Sequence, residues 1–423
     1  MTDGTAEDEA QKPSAYTAPS SNSPTVHTYS LLDKHEYNWF TLNIKSSAKI
    51  STQIPRIIEG KPIEGSVEIN IKSGMKSVTI AVTGEIISEQ NVHFVFVEVS
   101  RELWSSKGSK QASSSKKSPN PQRHSWPFSL ELPKTVEAET EDKTKRHFRL
   151  PATEFTAYWQ YSIVYKVTAT VKYSSFFRAS DLLNTSCVYV PVIEPSSPSP
   201  LRRLAYEQSI PIPSPEMDPE GWHSLSPVTF EGRIFGERTA SVTYTLSLAK
   251  PLSYTRGSAI PLHLTVTCSD SQALDLLSSP SAPLVRLRDG SHVNYDAGGS
   301  NQSGVYKKLS DMQAVHPMFF RDYFVPSNTA VWWTTPCGED NKRTLQGEIH
   351  LRPHQKPSSH FGMYRRFYDV ALLAPTVPAF SLADAKNMKD KLFQTIEVEV
   401  ATAYARGPRP IAYSKPIFDA EQM

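Results

Sequence analysis

Apolar and polar residues alternate along much of this chain with a period of two. Val67, Ile69 and Ile71 are separated by Glu68, Asn70 and Lys72, which gives an extended segment one apolar and one polar face. Val78, Ile80 and Val82 repeat the pattern, His93 to Val99 is rich in β-branched and aromatic residues, and Ile163, Tyr165, Val167, Ala169 and Val171 form the longest run. The alternation returns at Val242, Tyr244, Leu246 and Leu248, at Ile260, Leu262, Leu264 and Val266, and at Ile396, Val398 and Val400. Short strands at this density, with turn residues between them, predict an all-β antiparallel sandwich architecture rather than a parallel α/β sheet. Helical spacing is scarce. PLRRLAYEQS fits one helical turn, and SLADAKNMKDKLF (381–393) predicts a short helix, with Ser381 and Asp384 set like a capping box and Leu382, Ala385, Met388 and Leu392 on one face.

Three stretches break the pattern. Residues 1–28 are Ser, Thr, Pro and acids without periodic apolar positions and read as a disordered tail. Residues 105–124 hold seven serines, five Lys/Arg and no acid, and read as a mobile basic loop between two strands. In residues 191–227 nine of 37 positions are proline, which predicts a connection held partly extended. The expected organisation is a tail (1–28), a first β-sandwich (29–193), a Pro-rich linker (194–227) and a second β-sandwich (228–415).

Composition narrows the functions on offer. Lys plus Arg total 45 against 43 Asp plus Glu, so there is no electrostatic footprint for nucleic acid. Prolines number 33 and glycines 18, a balance that argues against long helices. Cys187, Cys268 and Cys337 lie far apart without a C-x-x-C, which argues against a cysteine zinc site and predicts buried, unreactive thiols. The acidic, polar start and the absence of a long apolar run predict a cytoplasmic protein. The nucleophile-elbow, phosphate-loop, dinucleotide and zincin motifs are all missing. His350, His354 and His360 read as solvated loop histidines because Pro353 interrupts any helical face. Asp289 to Asp296 reads as part of a long hairpin loop. No catalytic, metal or cofactor site is expected.

The two halves share a local pattern. Gly60, Ile63, Val67 and Ile69 map onto Gly257, Ile260, Leu264 and Val266 at a constant offset of 197, a glycine turn followed by an alternating face, used twice. The opening Gly60–Val67 resembles the start of an arrestin N-domain. Trp126-Pro-Phe128-Ser-Leu-Glu-Leu132-Pro133 is similar to the family's F-x-F-x-L-P segment, and Tyr161–Val167 resembles the strand after it. Tyr254-Thr-Arg-Gly257-Ser-Ala-Ile260 resembles the Y-x-x-G-x-x-I opening of the C-domain. The Pro-rich joint with Asp218-Pro-Glu-Gly-Trp222 is similar to fungal arrestin-like proteins of the α-arrestin-related family.

That resemblance implies two tandem immunoglobulin-like β-sandwich domains acting as a non-catalytic adaptor. Its partners would be membrane receptors or transporters, handed to ubiquitin ligases and the endocytic machinery, with recruitment to the plasma membrane or endosomes. A retromer-type coat or sorting subunit, and a β-sandwich hydrolase or carbohydrate-binding domain, remain alternatives. The P-P-x-Y ligase motif of the family is absent. Its nearest counterpart is Pro410-Ile-Ala-Tyr413, with Arg409 where the first proline would stand. The candidate interaction residues are therefore interfacial. Lys107, Lys110, Lys116, Lys117 and Arg123 form a basic loop suited to weak contact with an anionic membrane. Ser23, Ser118, Ser197, Ser199 and Ser214 precede prolines and are candidate phosphosites.

Overall fold

In the computed structural model the described residues are 24–416 and 418, apart from 72, 89–92, 108–122, 141–143, 156–160, 176, 294–322, 337–338, 363, 376 and 384–391. The alternating segments form strands, and the chain is mostly β. In the first half the strands are β1 (Thr25–Leu32), β2 (Asn38–Ser46), β3 (Arg56–Ile58), β4 (Ile63–Asn70), β5 (Met75–Ser88), β6 (His93–Ser105), β7 (Arg123–Leu130), β8 (Thr135–Glu139), β9 (Lys145–Arg149), β10 (Tyr161–Tyr173) and β11 (Asp181–Val190). They build a four-stranded sheet in the order β1-β2-β4-β7 and a five-stranded sheet in the order β3-β11-β10-β5-β6, with β8 and β9 as a separate hairpin. Phe40, Leu42 and Val67 from the first sheet and Val78, Ile80, Ile163 and Val167 from the second share one buried cluster. Burying each such side chain contributes roughly 1.5–3 kcal/mol.

The second half holds β12 (Trp222–Ser224), β13 (Val228–Ile234), β14 (Arg238–Ala249), β15 (Ser253–Thr255), β16 (Ala259–Cys268), β17 (Val285–Val293), β18 (Tyr323–Thr329), β19 (Val331–Thr335), β20 (Lys342–His350), β21 (Ser359–Phe361), β22 (Tyr364–Leu373), β23 (Phe380–Leu382) and β24 (Leu392–Ala401). One sheet runs β19-β20-β16-β14-β13-β23 with β12 added to β14, and the other runs β15-β24-β22-β17-β18 with β21 added to β22. Their inward faces meet in a second core around Tyr244, Leu246, Leu264, Val370 and Val398.

The sequence repeat has a structural counterpart. Gly60 and Gly257 both take a left-handed backbone, with φ of +74° and +80°, which a side chain would disfavour. Just before them, β3 pairs in parallel with β11 and β15 pairs in parallel with β24. The offset of 197 that superimposes the glycines also carries Arg56–Ile58 onto Ser253–Thr255. Glycine at 65 has a different reason. A Cβ there would run into the Asn43 carbonyl oxygen across the sheet and come within 2.6 Å of the Phe128 ring. Gly65→Ala is expected to cost about 2–3 kcal/mol by overpacking, read as a lowered midpoint in urea unfolding.

Several sequence expectations need correction. The first strand starts at Thr25, inside the stretch read as a tail, because its backbone pairs with β2 from Thr25↔Ser46 onward. The segment 194–227 is not a plain extended spacer. α1 (Pro200–Gln208), capped by Ser199, falls where PLRRLAYEQS fits a helical turn, and a 3-10 turn at Pro219–Gly221 follows before β12. Ala205, Tyr206, Ile212 and Trp222 form a small core of their own with Ala249 and Ile411. Trp222 Nε1 donates to the Pro213 carbonyl at 3.0 Å. The expected 381–393 helix is overruled at both ends, where Ser381 and Leu382 lie in β23 and Leu392 in β24; residues 384–391 between them lie outside the described residues. A helix that alternation did not announce, α2 (Ser271–Leu277), is capped by Asp270, whose carboxylate accepts from Gln272 N and Ala273 N at 3.0 and 2.9 Å.

Candidate functional site

The most concentrated buried chemistry lies where the two halves meet. On β22, Tyr364, Arg366, Tyr368, Val370 and Leu372 share one parity and all are buried. The last two enter the second core, whereas Tyr364 packs against the first. Arg366 sits between them, 7% exposed, and a buried guanidinium needs partners. Glu154 supplies one from the first half. It is 2% exposed and fixed by paired backbone hydrogen bonds with Ile163 at 2.9 and 2.8 Å. Arg366 Nη1 donates to Glu154 Oε1, and Tyr364 OH donates to Glu154 Oε2 at 2.7 Å. Asp289 on β17 accepts from Arg366 Nη2 at 2.5 Å. Arg366 Nε reaches the Tyr368 hydroxyl at 3.2 Å, and that hydroxyl donates to the Lys356 carbonyl at 2.7 Å.

The electrostatics follow from burial. Desolvation lifts the Asp289 carboxyl above its ordinary value, and Arg366 opposes the shift. Desolvation also raises the Tyr364 phenol, and the Glu154 charge adds to that. Lys356 is lowered, first by burial and against the pull of Glu154. Arg366 stays firmly protonated despite burial because Tyr368, Asp289 and Glu154 surround it. On the other parity of the same strand pair, Arg288 forks onto Asp369 at 2.7 and 2.5 Å. Thr402, just beyond β24, ties the joint a second time: its Oγ1 donates to the Pro191 carbonyl at 2.6 Å and accepts from Ile193 N at 2.8 Å. What this arrangement can do is hold two β units in one register.

A second polar cluster anchors the chain's last described segment. Glu348, 2% exposed on β20, accepts from Tyr413 N at 3.1 Å, from Ser414 N at 2.7 Å and from Ser414 Oγ at 2.5 Å. His350 Nε2 lies 3.0 Å from the same carboxylate and 3.4 Å from Ser414 Oγ. Ser, His and Glu therefore meet, but not as a hydrolytic triad. A triad's acid holds the ring nitrogen opposite the one facing the hydroxyl. Here both partners share Nε2, and Nδ1 has no hydrogen-bond partner. The buried position of His350 in a strand also corrects its reading as a solvated loop histidine. Of the other two, His354 is exposed as expected, and His360 is exposed in β21 against the Phe148 ring.

The residues singled out from the sequence are scattered. Lys107 is exposed in the turn after β6, whereas Lys110, Lys116, Lys117, Ser118 and Ser23 lie outside the described residues. Arg123 does not belong to a free basic loop. It opens β7 and donates to Glu68 at 2.9 Å, Thr41 Oγ1 at 2.9 Å and the Asn38 carbonyl at 3.3 Å. The segment between the halves carries Ser197, Ser199 and Ser214, and Tyr413 docks on it. Ser197 is exposed, its hydroxyl 3.5 Å from the Arg406 carbonyl. The Ser199 hydroxyl caps α1 and donates to Asp218, whose own N–H donates to the Ser214 carbonyl at 3.0 Å. Pro410–Tyr413 is not presented as a free ligase peptide. Ile411 packs into the small core, and Tyr413 OH donates to the Ile210 carbonyl at 2.7 Å. Burial, then Tyr206 and Glu348, push that phenol up to about 12.

The sequence reading missed Glu154, Asp289, Arg366, Tyr364 and Tyr368. Asp289 is a half-buried strand residue rather than part of a hairpin loop, while Asp296 lies outside the described residues. One signal was available: arginine at an inward-facing parity in YRRFYDVALL. Trp332 is buried and Trp333 half-buried, on opposite faces of β19 as adjacent strand residues must be. Among the described residues, no group of three or more His, Cys, Asp or Glu is placed to hold a metal ion, and no helix is long and apolar enough to cross a membrane.

Cys187 and Cys268 are unpaired and buried, and desolvation pushes the Cys187 thiol up to about 12. Iodoacetamide at pH 8 is therefore expected to leave Cys187 unmodified in the folded protein and to label it after denaturation. Peptide mass spectrometry of the Cys187 fragment reads both states.

Comparison of the sequence with protein-family models and with curated proteins gave no match.

Proposed function

We propose that this protein is a non-catalytic, arrestin-like adaptor of two tandem immunoglobulin-like β-sandwiches. It binds membrane receptors or transporters and links them to ubiquitin-dependent endocytosis. The observation that carries the reading is the joint. Two β units, each closed by the same parallel pairing just before a glycine turn, are coupled through Glu154, Arg366 and Asp289. A repeated pair of sheet units with its buried charges spent on mutual orientation suits a scaffold that offers surfaces rather than a cleft. The arrestin-type motifs Gly60–Val67, Trp126–Pro133 and Tyr254–Ile260 support the same reading. Ligase recruitment would use a surface other than Pro410–Tyr413, which is engaged within the chain.

Proximity labelling in cells with the full chain, followed by mass spectrometry, tests this. Enrichment of membrane transporters or receptors together with ubiquitin ligases and endocytic factors is expected. An interactome without them overturns the adaptor reading. Co-purification of a stable stoichiometric coat complex would place the protein with sorting subunits instead.

A further inference from the structure

The first half carries a cationic, apolar-tipped end that neither the buried joint nor the adaptor reading uses. It lies at the end of β4 away from Arg123: β4 runs from Ile63, beside this end, to Asn70, which pairs with Arg123. The chain between β2 and β3 turns back on itself there. Gln53 N donates to the Ile50 carbonyl at 3.2 Å, and the Gln53 side chain accepts from Lys49 N at 3.2 Å. The base of the turn is fastened to β1. Thr25 Oγ1 donates to the Ala48 carbonyl at 2.6 Å, and the buried His27 ring bridges the Ser51 carbonyl at 3.0 Å and Ser46 Oγ at 2.8 Å.

A turn held this firmly nevertheless presents Ile50 at 55% exposure and Ile54 at 50%, with Val26 at 48% on the neighbouring strand. Next to it is a groove of about 750 Å³ lined by Lys45, Lys49, Arg56 and Lys61 against one carboxylate, Glu64. All four cations are exposed, and only Lys45 lies near that carboxylate, at 3.6 Å.

From this juxtaposition of a fastened aliphatic turn and a cationic groove, we infer that this end of the first half docks on an anionic lipid bilayer. Ile50 and Ile54 enter the boundary between headgroups and acyl chains, and the four cations lie over the lipid phosphates. The choice of occupant rests on using both halves of the surface. A soluble acidic peptide would engage the cations and leave the isoleucines in water. An apolar protein groove would bury the isoleucines and strand the cations. A charged bilayer satisfies both. The inference stands apart from the adaptor reading, since it concerns lipid and not cargo protein.

Sedimentation of the full chain with vesicles tests it. Phosphatidylcholine vesicles, with and without about 30% phosphatidylserine, supply the neutral and anionic surfaces. Binding to the anionic vesicles alone is expected, weakening as salt is added. Lys49→Glu with Lys61→Glu should weaken it at least about tenfold. Ile50→Ser with Ile54→Ser should weaken it while keeping its salt dependence, and Lys107→Glu, at the far end, should leave it unchanged. Thermal unfolding of each variant should match the parent, because every substituted side chain is exposed. Equal binding to both vesicle types, no binding, or binding lost through Lys107 but not through Lys49 and Lys61 would overturn the inference. So would capture of soluble polyglutamate by a protein that ignores the vesicles.

Discussion

Arg366→Met is expected to remove about 3–5 kcal/mol of unfolding free energy, because it leaves the buried Glu154 and the half-buried Asp289 carboxylates without their shared cation. Glu154 keeps only the Tyr364 hydroxyl among its side-chain partners named above, and Asp289 loses the guanidinium that opposes its desolvation. The pH dependence has a definite sign. The Asp289 carboxyl is already raised above its ordinary 3.8 by burial, with Arg366 pulling the other way. Without Arg366 it rises further. A carboxyl raised in the folded state contributes stability that is complete below its unfolded value and lost as pH climbs through the folded one. The variant's deficit should therefore be full at pH 7 and shrink as pH falls toward 3.8. Urea unfolding at several pH values measures it. Adding Glu154→Gln and Asp289→Asn to Arg366→Met should recover much of the loss at pH 7, since no buried charge then remains unpaired. If the single and triple variants are equally unstable, the joint is held by packing and not by charge.

Truncation after Arg409 is expected to have the second-largest effect, about 2–4 kcal/mol. It removes the Ile411 side chain from the core around Tyr206 and Trp222 and strips three donors from the buried Glu348 carboxylate. Glu348→Gln separates the two contributions. In the full chain the amide should weaken the anchor, because its NH₂ faces N–H donors. In the truncated chain it should stabilise, because a neutral amide tolerates burial better than a lone carboxylate. A coupling energy of about 0.5–3 kcal/mol between truncation and substitution is expected from the double-mutant cycle. Simple additivity would mean that the segment holds through Ile411 alone.

Legibility in the sequence followed the range of the interactions. Strand alternation is local, so Ile163–Val171 and Ile260–Val266 could be read directly and appear in β10 and β16. Ile71 shows the limit of parity: it continues the beat of Val67 and Ile69 yet lies past the end of β4, 36% exposed. The Pro-rich segment misled because its order comes from distant partners. Trp222 and Ile212 are buried with Ala249 and Ile411, and no window around residue 212 contains those contacts. The 381–393 expectation failed for a related reason. A capping-box pattern at Ser381 is worth about 1 kcal/mol, less than the backbone pairing of Arg233↔Ser381 and Ile234↔Phe380 with the surrounding burial. Glu154, Asp289 and Arg366 were out of reach because they converge only after both halves have formed. Strand parity marks Arg366 as inward but cannot name the two acids that meet it.

The parallel pairings that repeat across the two halves also bear on how the chain reaches its native state. β3 waits for β11, so Arg56 must find Val188, and β15 waits for β24, so Ser253 must find Glu399. Contacts so remote along the chain carry their loop-closure entropy before they return any stabilisation. During synthesis the β10 edge of the first half's five-stranded sheet stays open until β11 has been made. That interval of exposed edge is when the nascent protein is most prone to pair with the wrong strand and most in need of a chaperone.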